Sequence, residues 1–163
     1  SVSRVFVEIT LEPFLSAEVA GSKVVIGDGP ALSELRIKYP NAIFLGTLKG
    51  TELASAYATA DVFVFPSRTD TFGLVMIEAL ASGLPVAAFP VPGPLDIIGP
   101  DGRGPWSELS RPIGSLSEDL PSAIRNALSV HKADALAYAQ SFDWDRCTDQ
   151  FIGALGEVTH QNA

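Results

Sequence analysis

The sequence predicts an α/β fold, a parallel sheet with helices on both faces. Three observations predict it. Apolar strand-like runs alternate with helical patterns along most of the chain, the order from which parallel sheets are built. Asp61–Phe65 is a continuous β-branched and aromatic run, as a central strand covered on both sides requires. Glycines and prolines fall between these segments, where turns and helix ends need them.

The elements follow in order. At the front, Val2, Val5, Phe6 and Val7 can form a strand. Leu11, Phe14, Leu15 and Val19 then recur at helical spacing, with Thr10 as a candidate N-cap. Lys23–Ile26 is a short strand that ends in Gly27-Asp28-Gly29-Pro30. Pro30 is placed in the first turn of the next helix, where its missing N–H costs nothing. That helix runs to about Tyr39 and stops before Pro40. Ala42–Leu45 is the next strand, followed by Gly46 and a helix over roughly Thr51–Thr59. After the Asp61–Phe65 strand, Pro66–Thr71 is a loop. Phe72–Ser82 is helical and is ended by Gly83. Pro85–Phe89 is another strand. Pro90–Gly114 is rich in proline and glycine and reads as loops with at most one short strand or helix. Helices follow over roughly Ser117–Val130 and Ala133–Gln140. A last one covers about Asp145–Val158, with Asp143 as a candidate cap.

Bulk properties narrow the function. At 163 residues the chain is long enough for one domain with a real core. It is 47% hydrophobic and 18% charged, which argues against disorder. No apolar run reaches the length of a membrane span. The start, Ser1-Val2-Ser3-Arg4, lacks the order of a signal peptide. The missing initiator Met points to a processed start or a recombinant piece. Cys147 is the one cysteine, so no internal disulfide forms, in keeping with a reducing compartment. The net charge of −8, without a basic stripe, argues against nucleic acid as a partner. An anionic ligand would need local groups, namely a few Arg or Lys, or backbone N–H groups at helix starts.

The chemistry concentrates in Ser67-Arg68-Thr69-Asp70-Thr71-Phe72-Gly73-Leu74-Val75-Met76-Ile77-Glu78. The helix is apolar almost all round, which predicts burial. Glu78 sits in its second turn, and a buried acid is costly unless something pairs with it. The helix begins just beyond a strand's carboxyl end, where open parallel sheets bind ligands. Its first N–H groups, near Phe72, Gly73 and Leu74, are free to meet a phosphate. Gly73 lets a ligand approach the backbone closely. Glu78 could accept hydrogen bonds from two adjacent sugar hydroxyls. The plainer reading stands beside this one: Asp70 caps the helix, and Glu78 answers a buried backbone group or an arginine.

Acid, seven residues, acid, with Phe-Gly-Leu inside and Pro-Ser in front, resembles the signature of the group-1 family of retaining glycosyltransferases. The resemblance continues through Gly27-Asp28-Gly29-Pro30, Phe44-Leu45-Gly46, Tyr57-Ala58-x-Ala60-Asp61-Val62-Phe63, Ala81-Ser82-Gly83-x-Pro85-Val86 and Phe142-x-Trp144. These lie in family order from about Arg4 to Leu155. A lone acid-x7-acid would be weak; the ordered set is specific. The resemblance implies one Rossmann-like half of a GT-B fold, the carboxyl-terminal domain that binds the nucleotide sugar. Residues 142–163 would then be a helix crossing toward a missing amino-terminal acceptor domain. It implies that Arg4 contacts the donor pyrophosphate and Glu78 the ribose hydroxyls. Asp70 would face the donor sugar as the catalytic acid position, where Glu is commoner. Phe72, Gly73 and Leu74 would lie along the sugar and phosphates, and Gly46 and Thr47 beside the nucleobase.

Two departures stand out. Ile9 occupies the position of the family's phosphate-binding lysine, and Ser3 replaces the glycine beside Arg4. A lysine near a leaving diphosphate stabilises charge that develops in the transition state. Arg68 or Lys49 would have to compensate; the plainer reading makes both solvated surface cations. The family's first strand should end at Arg4, so most of it would precede residue 1. Other candidates are weaker. Asp143-Trp144-Asp145 could be a metal-binding Asp-x-Asp but reads better as a cap and a first-turn acid. His131 and His160 lack partners at ligand spacing, and Cys147 lacks an activating base. Gly27-Asp28-Gly29 is short of a dinucleotide fingerprint. Gly93-Pro94-Leu95-Asp96 either lines the same cleft or is a plain turn.

The expected activity is sugar transfer with retention from a UDP- or GDP-sugar, with no cofactor and no required metal. The isolated domain is expected to be inactive. The alternatives are a binding module that holds a nucleotide or nucleotide sugar without turnover, and a related GT-B epimerase or phosphorylase. The expected location is cytoplasmic, peripheral to the inner face of the membrane if the acceptor is a lipid. An open cleft face beside Phe142, Trp144, Phe151, Ile152 and Leu155 predicts weak self-association. A clean monomer by light scattering at high concentration would count against it.

Overall fold

The computed structural model of the chain describes residues 11–69, 74–105 and 111–140. The strand and final helix expected over Val2–Val7 and Asp145–Val158 lie outside the described residues, as do Thr10 and Asp143. In chain order the elements are α1 (Glu12–Leu15), β1 (Val24–Ile26), α2 (Leu32–Lys38), β2 (Ile43–Gly46), α3 (Gly50–Thr59) and β3 (Phe63–Phe65). Then come α4 (Leu74–Ala81), β4 (Val86–Ala88), α5 (Pro92–Ile98), β5 (Gly114–Leu116), α6 (Leu120–Ala127) and α7 (Lys132–Gln140).

Among the described residues every strand pairing is parallel. β1 pairs with β2, and β3–β4–β5 form a second sheet in sequence order. In a doubly wound sheet the first strand of the chain lies centrally, between the second and the fourth. The order β2–β1 and the order β3–β4–β5 are those of the two flanks of such a sheet. Among the described residues, β1 has β2 as its one partner and β3 has β4.

Side-chain alternation puts helices on both faces, as predicted. Phe63, Phe65, Val86 and Ala88 pack into a core with Met76, Ala79 and Leu80 of α4, Ile97 and Ile98 of α5, and Ala135 and Tyr138 of α7. The intervening Val62, Val64, Ala87 and Phe89 point the other way, against Leu120, Ala123, Ile124 and Ala127 of α6. Those four α6 residues share one face at helical spacing. A third cluster joins Val25 and Phe44 to Leu11 and Leu15 around α1 and to Leu32 and Leu35 of α2. The opposite side of β1–β2 is open: Val24, Ile43 and Leu45 are 42%, 46% and 47% exposed.

Several boundaries differ from the sequence reading. Pro30 lies in the turn before α2, whose N-cap position is Ala31. α1 is a single turn over Glu12–Leu15. The stretch from Pro90 to Gly114 holds both a helix and the start of a strand, where at most one was expected. Pro92 opens α5 at the position where a missing N–H is tolerated. Tyr138 Oη donates to the Ile97 carbonyl at 2.8 Å and the Gly104 N–H to the Ile98 carbonyl at 2.8 Å, satisfying the end of that helix. α6 starts at Leu120 with Asp119 as its N-cap, later than the expected Ser117. Gly83 ends α4 as predicted, with a φ of 76° and its N–H on the Leu80 carbonyl at 2.9 Å. Among the described residues no helix is long and apolar enough to cross a membrane.

Candidate functional site

Parallel strands deliver all their following loops to one edge of the sheet, and ligands bind there in open α/β folds. At this edge β1 gives way to Gly27-Asp28-Gly29 and β2 ends in Gly46, followed by Thr47. The two turns are joined: the Gly27 N–H donates to the Gly46 carbonyl at 2.8 Å. Gly46 has a φ of 73°, a backbone form that side chains rarely adopt. Asp28 Oδ1 accepts from the Gly29 N–H at 2.9 Å and stiffens the first turn. Gly46 is half-buried and Thr47 exposed. Both predicted nucleobase positions therefore stand at the carboxyl edge.

After β3 the chain passes through Ser67, which is 1% exposed. Its Oγ accepts from the Thr69 N–H at 3.4 Å. Arg68 lies with its guanidinium carbon 3.7 Å from the centroid of the Phe89 ring, which follows β4. Its Nη1 donates to Glu118 Oε2, beyond β5, at 2.7 Å. Arg68, Phe89 and Glu118 line an open groove of about 670 Å³ together with Asp119, Arg125 and residues beside α1. The groove is wide-mouthed, and none of Gly46, Thr47 and Glu78 lines it. Sequence reasoning treated Arg68 as a spare cation. In this structure it contacts Phe89 and Glu118, with half of its side chain exposed. Lys49, the other candidate, occupies the N-cap position of α3, exposed and without a partner among the described residues.

Glu78 requires a correction. An apolar α4 predicted a buried acid, yet Glu78 is exposed. Met76, Ala79 and Leu80 face the core, while Glu78, Ala81 and Ser82 form an outward stripe. Alanine counts as apolar in a composition but is small enough to sit at a surface. Glu78 is thus an exposed residue of α4 that has an interaction partner of its own. α4 follows β3 and is described from Leu74; the expected start at Phe72 lies outside the described residues. Arg4, Ile9, Asp70, Phe72 and Gly73 lie outside the described residues. Gly93-Pro94-Leu95-Asp96 is not a plain turn: it belongs to α5, which follows β4, with Gly93 and Pro94 buried.

Asp119 closes the site on the β5 side. Hydrogen bonding from Ser122, through its side chain first and its backbone N–H second, holds the Asp119 carboxyl below the usual range. Arg125, 3.6 Å away, adds to this, and desolvation opposes it. A carboxyl lowered in the folded state stabilises above its unfolded pKa, and that contribution is lost as pH falls through the folded value. Asp119→Asn keeps a capping oxygen but removes the charge. It should therefore flatten the acid limb of melting temperature against pH, while Asp119→Ala lowers the melting temperature at neutral pH as well. Thermal melts between acid and neutral pH check both.

A family model described as Glycosyl transferases group 1 matches residues 9–130. A GDP-mannose-dependent alpha-mannosyltransferase of Mycobacterium tuberculosis (strain CDC 1551 / Oshkosh) is 39% identical over 142 residues, covering 85% of this chain and 36% of that protein. The sulfoquinovosyl transferase SQD2 of Arabidopsis thaliana is 38% identical over 159 residues, covering 90% of this chain and 31% of its own length. Among solved structures, the sucrose-phosphate synthase of Thermosynechococcus elongatus superposes with a TM-score of 0.68 at 25% identity, over 98% of this chain and 44% of that one. The fold is of the GT-B type found in these neighbours. The chain belongs to the group 1 glycosyltransferases. It spans about a third of the length of the two curated relatives, 36% and 31%.

Proposed function

We propose that the chain is the donor-binding, carboxyl-terminal domain of a retaining glycosyltransferase, one that moves a sugar from a GDP- or UDP-sugar to an acceptor. One observation carries the reading most. Gly46 and Thr47 stand at the carboxyl end of β2, and Leu74 and Glu78 lie in α4, the helix that follows β3. A relative whose name specifies GDP-mannose favours the guanine nucleotide. In this reading Glu78 holds the ribose and Arg4 the diphosphate. Asp70 and the backbone of Phe72–Leu74 orient the sugar. The domain uses no cofactor and no metal. An amino-terminal domain supplies the acceptor. The protein works in the cytoplasm, at the inner face of the membrane if its acceptor is a lipid; recovery in a membrane-bound fraction that resists salt washing would contradict this.

Calorimetric titration of the chain with GDP, UDP and inorganic phosphate in EDTA tests the proposal. Saturable binding of one nucleotide without metal is the expected result. A folded sample that binds neither nucleotide would overturn it, and a response to phosphate alone would favour a phosphorylase. A second reading, a module that binds without turnover, is favoured by Ile9 at the lysine position. It is separated by assaying transfer after the acceptor domain is supplied: nucleotide binding with no transfer supports it.

A further inference from the structure

We propose that residues 11–48, from α1 to the end of β2, open as one unit while β3–β4–β5 and their helices stay folded, and that a nucleotide seated at Gly46 and Thr47 closes this unit. The nucleotide arm of the test rests on the donor-site reading above; the opening does not. The unit has its own core. Leu11, Leu15, Val25, Leu32 and Leu35 form a cluster separate from the two that cover β3–β4–β5. Its polar ties close on themselves. Lys23 Nζ donates to the Leu15 and Ala17 carbonyls, each at 2.6 Å. Lys38 pairs with Glu12, and the Arg36 guanidinium carbon lies 5.4 Å from the centroid of the Phe44 ring. Among the described residues no backbone hydrogen bond joins residues 11–48 to residues 60–140. Side chains make the attachment: Phe14 packs against both clusters, and Ala17 and Val19 join the one that holds Phe89 and Leu120.

This core is also the looser one. Its buried side chains each keep 4–8% exposure, whereas Met76, Leu80, Val86, Ile98 and Ile113 keep 0%. One face of β1–β2 is bare at Val24, Ile43 and Leu45. α1 is a single turn and α2 runs seven residues, and helices that short depend on packing for their stability. A unit with few buried contacts opens at a lower free energy than the whole domain. Gly46 and Thr47 belong to this unit and Glu78 to α4 in the other part. A nucleotide that meets both therefore spans the boundary and binds only while the unit is closed.

Amide hydrogen exchange of the full chain, followed residue by residue across low denaturant, tests this on matched bonds. The Ile43 N–H donates to the Lys23 carbonyl and the Gly27 N–H to the Gly46 carbonyl, both at 2.8 Å, and the Phe63 N–H to the Pro85 carbonyl at 2.9 Å. Bond length therefore does not separate them. Corrected for intrinsic rates, Gly27 and Ile43 should exchange about a hundredfold faster than Phe63, with a smaller denaturant dependence. Equal protection with equal denaturant dependence would overturn the proposal. Val25→Ala, which leaves a hole in the small core, should speed Gly27 and Ile43 about tenfold or more and leave Phe63 unchanged. A like acceleration at all three would mean one cooperative domain, and the proposal would fall. With GDP or UDP at about a hundred times its dissociation constant, Gly27 and Ile43 should slow about a hundredfold, since the opened unit does not bind. Nucleotide bound by calorimetry with no slowing would overturn the closing step. If the parent chain binds neither nucleotide, the donor reading fails by itself, and exchange in the parent and in Val25→Ala still decides the opening.

Discussion

Glu78→Ala is expected to weaken GDP or UDP binding by about thirtyfold or more while moving the melting temperature by no more than about 1 °C. Two hydrogen bonds from adjacent hydroxyls to one carboxylate are together worth about 2–3 kcal/mol, which sets that factor. Stability should change little because Glu78 is exposed on α4: its truncation leaves no hole and gives up only a surface interaction. Alanine is also the better helix former. Had the carboxylate been buried, the same substitution would have mixed a folding effect with a binding effect. Titration calorimetry beside a thermal melt reads the two separately. Affinity equal to that of the parent would remove Glu78 from the site.

Gly114→Ala is expected to do the opposite, costing about 2–3 kcal/mol of folding stability, or about 8 °C in melting temperature for a chain of this size. Gly114 opens β5 and pairs with Val86 of β4. A Cβ there would fall on the Val86 carbonyl oxygen and within 3.2 Å of Ile98 Cγ2. The obstruction is backbone of a fully buried strand, which cannot swing aside as a flexible side chain would. Differential scanning calorimetry checks the prediction. An unchanged melting temperature would mean that β4 and β5 can spread without loss, against the close packing seen around Val86, Ile98 and Ile113, each 0% exposed.

Much of this architecture was legible in the sequence, because the signals are periodic and local. The run ending in Phe65 sends alternate residues to opposite cores, and Gly83 stops α4 where its positive φ is needed. α5 and β5 were hidden for a physical reason. Pro92, Gly93 and Pro94 signal a loop to any propensity argument, yet a proline in the first helical turn gives up no intrahelical bond. Gly114-Ser115-Leu116 has little strand propensity and is held by its pairing with β4. The family motif singled out Gly46, Thr47, Leu74 and Glu78, of which the first two lie at the end of β2 and the last two in α4. It gave no information about which side of α4 faces out, so the expected burial of Glu78 failed. The ties from Arg68 to Phe89 and Glu118 span distant parts of the sequence, and no spacing rule encodes them.

The uniform direction of the strands has a kinetic consequence. Two antiparallel neighbours can zip together across a tight turn, but each parallel pair here forms only after an intervening helix and its loops have closed. The described strands therefore offer no local hairpin from which a sheet could nucleate. Folding must begin with contacts far apart along the polypeptide, which places refolding toward the slower end for a domain of this size, about milliseconds to seconds. During that interval the strand edges stay open to other chains, so refolding yield should depend steeply on protein concentration even though the finished domain covers most of its apolar strands with helices.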